Sequence, residues 1–393
     1  MGKAEKKDTK RIVAIVLICI FLAFAIFFIF ELNLPNLSIK NNGNLDHKYG
    51  KVLSNIENIT VANPYLNNIY MLGSHDSCTC DINTKSKADE NAGFGMKIME
   101  VLGKGYFIRY AKTQTVGAYD QLMQGSRYLH IKYSFTDGDW YSTHSITSGK
   151  MAGYIMDILK YMSEQIGEIV ILNFHPCGFN GHTMAQFHEW LGTIKYNDKT
   201  IYDYVYYSEV DVFNDNNGKL RLSQLRYNDI TQNGTKSGLV LIDTRDYKHM
   251  VKEEEGAENT YTNKYFDLDT NAKNEWHNRN SNKALIKGIQ ETAESIKEDS
   301  NAKNLLRINQ TQHALGAKGF DDFISSLFGC SLLHLAEKYN VQLIEDERLD
   351  FWLDTMPIFS VDFVNSNVGS FNERINKIII DKNKDLVEGM LEP

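Results

Sequence analysis

The segment Glu168 to Phe174 reads EIVILNF, and it constrains this chain more than any other stretch. A strand with one face in water alternates apolar and polar residues. A strand that is apolar throughout is covered on both faces, as in a parallel sheet packed between helices. Leu239 to Ile242, Leu305 to Ile308 and Pro357 to Val364 have the same character. Asn68 to Gly73, Arg127 to Tyr133 and Trp140 to His144 are strand-like, rich in β-branched and aromatic residues. Between such runs lie helical patterns, as where Tyr154, Ile155, Ile158, Leu159, Met162 and Ile166 recur at helical spacing. Strands separated by helices pair in parallel through crossovers. The expected fold is therefore α/β, a distorted TIM-like β/α barrel, which 393 residues are long enough to build. No period of 20–50 residues repeats, which excludes a solenoid.

In such barrels the active groups sit at strand C-terminal ends. Those ends carry His75 and Asp76, His130 and Lys132, His144, His175, Asp243 and Asp362. Residues 250–303 are charged and Asn-rich, with one amphipathic stretch at Leu285, Ile289 and Ile296, and read as a solvated insertion.

The N-terminus carries Lys3, Lys6, Lys7, Lys10 and Arg11 ahead of an unbroken apolar run from Ile12 to Phe30. At about 1.5 Å per residue such a helix spans roughly the hydrocarbon core of a bilayer. A secretory signal has a shorter apolar region and a small-residue cleavage site, which Glu31 to Pro35 lack. The expected division is a basic cytoplasmic tail at 1–11, a transmembrane signal anchor at 12–30, a stalk at 31–66 and the barrel at 67–393. The positive-inside rule then places the barrel on the extracytoplasmic side. The net charge of −8 argues against nucleic acid as a partner. Cys78, Cys80, Cys177 and Cys330 allow two disulfides outside the cell, with no pairing fixed by spacing.

Several segments together carry a family likeness. MLGSHDS at 71–77 comes straight off a strand. QLMQGSRYLHIK at 121–132, YSTH at 141–144, VILNFH at 170–175 and SVDFV at 360–364 follow in order. This series resembles the phosphatidylinositol-specific phospholipase C X-domain family over about residues 66–366, and among its members looks closest to the protozoan enzyme that cleaves glycosylphosphatidylinositol anchors. The resemblance implies a phosphodiesterase whose substrate is phosphatidylinositol or a glycosylphosphatidylinositol anchor, with a membrane as its place of work. It implies His75 as the base for the inositol 2-hydroxyl, oriented by Asp362, and His144 as the acid for the diacylglycerol oxygen, supported by Asp76. The products would be diacylglycerol and a cyclic inositol phosphate.

Imidazole suits both proton roles because its unperturbed pKa lies near neutrality. The sequence departs from the family at the second strand. Calcium-dependent members carry carboxylates where this chain has His130 and Lys132, so no metal cofactor is expected. Metal-independent members carry aspartate and arginine there; Lys132 retains the charge but not the two-pronged fork. His130, His175, Asp243 and Arg245 are candidates for substrate contacts, with solvated loop charges as the plainer reading of the last two. Zinc on the four histidines His75, His130, His144 and His175 is a further alternative, though their spacing matches no metal motif. A catalytically inactive barrel that binds inositol phosphates or a protein partner is the reading that Lys132 and His130 keep open.

Overall fold

The computed structural model describes residues 2–33, 47–206, 222–243, 264–279, 281–314 and 331–392. Its strands are β1 (Met71–Ser74), β2 (Ser126–Thr136), β3 (Asp139–Thr143), β4 (Thr147–Lys150) and β5 (Ile169–Gly178). They continue as β6 (Gly238–Asp243), β7 (Phe266–Asp267), β8 (Ala272–Trp276), β9 (Leu306–Gln310) and β10 (Ile358–Val361). The sheet runs β7-β6-β5-β2-β1-β10-β9-β8. Every pairing along that path is parallel. Among the described residues no pairing joins β7 to β8, so the barrel curls round without closing there. The expected α/β barrel is thus present, in the distorted form.

Two departures follow from local sequence. Trp140 to His144 belongs to an antiparallel hairpin, β3 pairing with β2 and β4, rather than to the parallel set. The turn is Asp137-Gly138, both with positive φ, a pairing suited to a tight hairpin turn. The reading of residues 250–303 as a solvated insertion is overturned for its described part. Phe266–Asp267 and Ala272–Trp276 are barrel strands, and helix Asn282–Glu298 packs on the sheet through Leu285, Ile289, Ala293 and Ile296. Its charged residues fall on the outer face of an amphipathic helix, which makes a barrel element look like a polar insert.

Alternation within the strands separates two apolar layers. Leu129, Ile131, Val170, Leu172, Leu239 and Leu241 face outward onto helix Met151–Glu164, against Ile155, Ile158 and Leu159. Met71, Tyr128, Ile171, Val240, Ile308 and Ile358 face inward. Each aliphatic side chain so buried contributes about 1.5–3 kcal/mol.

The expected stalk at 31–66 is corrected in its described part from residue 52 on, which packs into the barrel; residues 34–46 lie outside the described residues. Val52, Leu53, Ile56 and Ile59 are buried in the inward cluster, closing the barrel floor. Glu168 holds them there. Its carboxylate accepts from the backbone N–H groups of Val52 (3.1 Å), Leu53 (3.2 Å) and Ser54 (2.9 Å) and from the Ser54 hydroxyl (2.7 Å). It also accepts from Arg127 Nε at 2.7 Å, and Arg127 in turn donates to the carbonyls of Tyr49 and Gly50. Removing one partner of such a buried pair costs about 3–5 kcal/mol, so Arg127 is a structural residue.

Gly2–Asn33 forms a single helix, and the described large apolar side chains of its run are exposed, Phe21 at 71% and Ile26 at 69%. Among the described residues no helix is long and apolar enough to cross a membrane. The side chains of residues 2–12, of Phe28 and of 31–33 lie outside what is described. Cys78, Cys80 and Cys177 are free thiols. Cys330 lies outside the described residues.

Candidate active site

The same two-residue alternation that buries Leu129 and Ile131 outward turns Tyr128, His130 and Lys132 into the barrel. On the neighbouring strand it turns Ile171, Asn173 and His175 inward, and the register sets His175 directly beside Lys132. On β1 the inward parity of Met71 and Gly73 continues to His75, and on β10 that of Ile358 and Ser360 continues to Asp362. These side chains meet at one cavity of about 510 Å³, lined by His75, His130, Lys132, His144, His175 and Asp362. The volume is that of a small-molecule site.

Asp76 is the hub, although it does not line the cavity. Its Oδ2 lies 3.0 Å from Lys132 Nζ and 3.4 Å from both His75 Nε2 and His144 Nε2, while its Oδ1 lies 3.0 Å from His130 Nδ1. His75 Nδ1 pairs with Asp362 Oδ1 at 2.8 Å. His144 Nδ1 donates to the Ala111 carbonyl at 3.0 Å. The ring centroids of His75 and His144 stand 6.2 Å apart, edge to face.

The backbone around these groups is held in an unusual way. Asp76, Ser145 and Phe363 follow His75, His144 and Asp362, and all three have positive φ, at 41°, 60° and 52°. For a residue as large as phenylalanine that is an outlier, of order 1–3 kcal/mol. The surroundings enforce it: Phe363 N–H donates to the Thr113 carbonyl at 2.7 Å. Gln114 donates to the carbonyls of His75 and Val361, and its own oxygen accepts from Val364 N–H. The strand ends carrying His75 and Asp362 are thereby locked together.

The electrostatics divide the site. Burial opposes ionisation of Asp76, but His75, Lys132 and His144 more than offset it and hold the carboxyl well below the usual range. Burial and then the Asp76 charge push Asp362 up. Burial lowers His75 to about 4 and His144 to about 4, with Asp76 opposing and Lys132 adding to the shift. Burial, with His130 and Lys132, lowers His175 to about 3. Lys132 stays a cation, because Asp76 outweighs its desolvation.

A folded histidine held near 4 takes up no proton between 6.5 and 4, whereas the unfolded chain does. Its stabilising contribution is complete above pH 6.5 and is lost as pH falls toward 4. His75, His144 and His313 (also about 4) act together in that window, with Asp362 opposing them. The melting temperature should therefore drop by several degrees from pH 7 to pH 4.5. A flat profile measured by circular dichroism would contradict these burials.

One expected substrate contact, Asp243, is not among the residues that line the cavity. Asp243 is fully buried on the outward side of β6, where it accepts from the Tyr133 hydroxyl at 3.2 Å. It shares the parity of Leu239 and Leu241, which face the helices, so it cannot face the barrel interior. Arg245 lies outside the described residues. Sequence reasoning missed Tyr110, which stacks on His144, and Asn274, Trp276, Gln310 and His313, which also line the cavity. Gln310 was within reach of the alternation argument, since Leu306 and Ile308 point inward.

No family model matches the chain. A PI-PLC X-box domain-containing protein of Dictyostelium discoideum is 33% identical over 107 residues, 27% of this chain and 14% of that protein. The match therefore spans about a seventh of the length of that relative. Among solved structures, variants of phosphatidylinositol-specific phospholipase C from Staphylococcus aureus align with TM-scores of 0.55 and 0.56 at 15% and 16% identity. They cover 86% of this chain and 99% and 97% of theirs. The phosphatidylinositol-specific phospholipase C of Listeria monocytogenes aligns at 0.50 and 17% identity, covering 86% of this chain and 99% of that one. The X-domain resemblance read from the motifs therefore stands, and the fold is that of these phospholipases.

Proposed function

We propose that this chain cleaves an inositol phospholipid, free phosphatidylinositol or a glycosylphosphatidylinositol anchor, by acid–base catalysis between two histidines. The observation that carries the reading is the pairing of His75 and His144 across one cavity. Each has its Nδ1 engaged, by Asp362 and by the Ala111 carbonyl, which leaves Nε2 for chemistry. His75 Nε2 takes the proton of the inositol 2-hydroxyl. That oxygen attacks phosphorus, closing a five-membered cyclic phosphate as the bond to the glycerol oxygen breaks. His144, protonated at Nε2, gives its proton to the departing diacylglycerol. Lys132 faces the charge that develops on the phosphoryl oxygens, the kind of fixed electrostatic aid that dominates such reactions. A phosphate anion in the cavity favours the imidazolium form of His144, countering the burial that lowers it in the free protein. His130 and His175 flank the ring of the inositol.

Support for a lipid substrate comes from helix Phe94–Leu102, beside the helix that carries Tyr110 into the cavity. Phe94 and Val101 are each 80% exposed, and Ile98 40%. Apolar side chains of this size exposed near a site mark contact with an apolar partner. The apolar run Ile12 to Phe30, behind its basic residues, is in this reading the anchor that keeps the barrel at the membrane surface, on the extracytoplasmic side.

Calcium takes six to eight oxygen ligands, and the inward positions of β2 present His130 and Lys132 instead. Turnover of phosphatidylinositol in mixed micelles by the full chain should be undiminished in EDTA and gain nothing from added calcium. Loss of activity in EDTA, restored by calcium, would overturn the metal-independent route.

A further inference from the structure

We propose that His75, Asp76 and His130 form a binding site for a late divalent transition-metal ion, Zn²⁺ above all, and that its occupation switches the site off. The ligand atoms of these three residues all lie within 4.8 Å of one another, and all three residues are buried. His144 Nε2 lies 3.4 Å from Asp76 Oδ2 but stands outside that group of three. Zinc bonds to imidazole nitrogen and carboxylate oxygen are about 2.0–2.2 Å long, so two ligands of one ion stand at most about 4.4 Å apart. The set needs only a slight inward movement of side chains to close.

A second observation is independent of that count. Asp76 Oδ1 and His130 Nδ1 are buried, and neither has a hydrogen-bond partner of acceptable geometry, although they approach to 3.0 Å. Buried polar atoms left unsatisfied are uncommon and costly. A cation between them would satisfy both at once. The donor set selects the ion: two imidazoles and one carboxylate suit zinc, copper or nickel, and suit calcium and magnesium poorly.

The cluster also explains why such an ion would inhibit. Lys132 Nζ already neutralises Asp76 at 3.0 Å, so metal and ammonium compete for one carboxylate. A bound ion takes Nε2 of His75, the nitrogen that must accept the substrate proton, and displaces Lys132 from its place beside the phosphate. The inhibition rests on the lipid-cleaving reading; the binding does not.

Binding is measured on the full chain in detergent, stripped of metal, by isothermal titration with ZnCl₂ and by the visible absorption of Co²⁺. One ion per chain is expected, with no competition from calcium. His75→Asn and His130→Asn should each weaken binding by at least about tenfold, the loss usual when a metal's surroundings are altered. Lys132→Met should tighten it by about tenfold, because a competing cation is removed. His182→Asn, outside the cluster, should leave it unchanged. No zinc binding, equal affinity in His130→Asn and wild type with matched circular dichroism, or weaker binding in Lys132→Met would overturn the site. Zinc should block phosphatidylinositol turnover reversibly, with EDTA restoring it. Full turnover at saturating zinc would overturn the inhibitory role. A chain that binds zinc as described but turns over no lipid under any condition would leave the site standing and refute the proposed function.

Discussion

Replacing His75 or His144 by alanine lowers turnover of phosphatidylinositol by about 10²–10⁴-fold in each case, the usual contribution of a positioned acid or base. The fold survives both changes. His75 and His144 sit at the open end of the barrel, whereas the apolar layers on β2, β5 and β6 lie beneath and outside them. The double variant falls little further than either single one, because residues acting in one proton relay are not additive. Near-ultraviolet circular dichroism matched to wild type separates lost chemistry from lost structure. Wild-type rates in either properly folded single variant would refute the two-histidine mechanism. Asp362→Asn is the milder companion: it keeps the shape of the contact at His75 Nδ1 but removes the carboxyl that can ionise to steady an imidazolium there.

The second large effect belongs to Lys132. Its ammonium is fixed by Asp76 within the cavity, and it is the only lysine or arginine among the described residues that line it. Lys132→Met should cost about 2.7–4 kcal/mol of transition-state stabilisation, the loss found when a single charge-stabilising donor is removed. That is a fall of about 10²–10³-fold, read in single-turnover kinetics so that product release does not mask it. Lys132→Arg asks how the site is shaped. Arginine keeps the charge, but its fork is longer and planar, and His175 stands beside it in register on β5. Unchanged single-turnover rates in Lys132→Met would remove Lys132 from the mechanism.

Much of the site is legible in the sequence because a strand sorts its side chains by parity. Leu129 and Ile131 declare the outward face of β2, and His130 and Lys132 follow as inward residues. Asp243 shows the same rule running the other way. Standing at a strand end suggested a site residue, yet Leu239 and Leu241 already placed that parity outside. The wall residues Asn274 and Trp276 were lost for another reason. Their strand is short and polar, and it lies in a stretch whose charges, many on the outer face of helix Asn282–Glu298, hide the barrel pattern. The hub role of Asp76 was not legible either. It depends on a left-handed turn after β1, which folds the carboxylate back under three imidazoles and an ammonium. The packing of Val52 to Ile59 depends on Glu168, more than a hundred residues away, and no local signal announces it.

The central claim is that a neighbouring hydroxyl of the lipid headgroup, deprotonated by His75, displaces diacylglycerol. Phosphorus NMR of the water-soluble product, followed from the first turnovers of the full chain on phosphatidylinositol with EDTA present, tests it most directly. The account predicts that the five-membered cyclic inositol phosphate appears first and precedes any acyclic inositol phosphate. Acyclic phosphate from the outset with no cyclic signal, or release of phosphatidic acid, would contradict it.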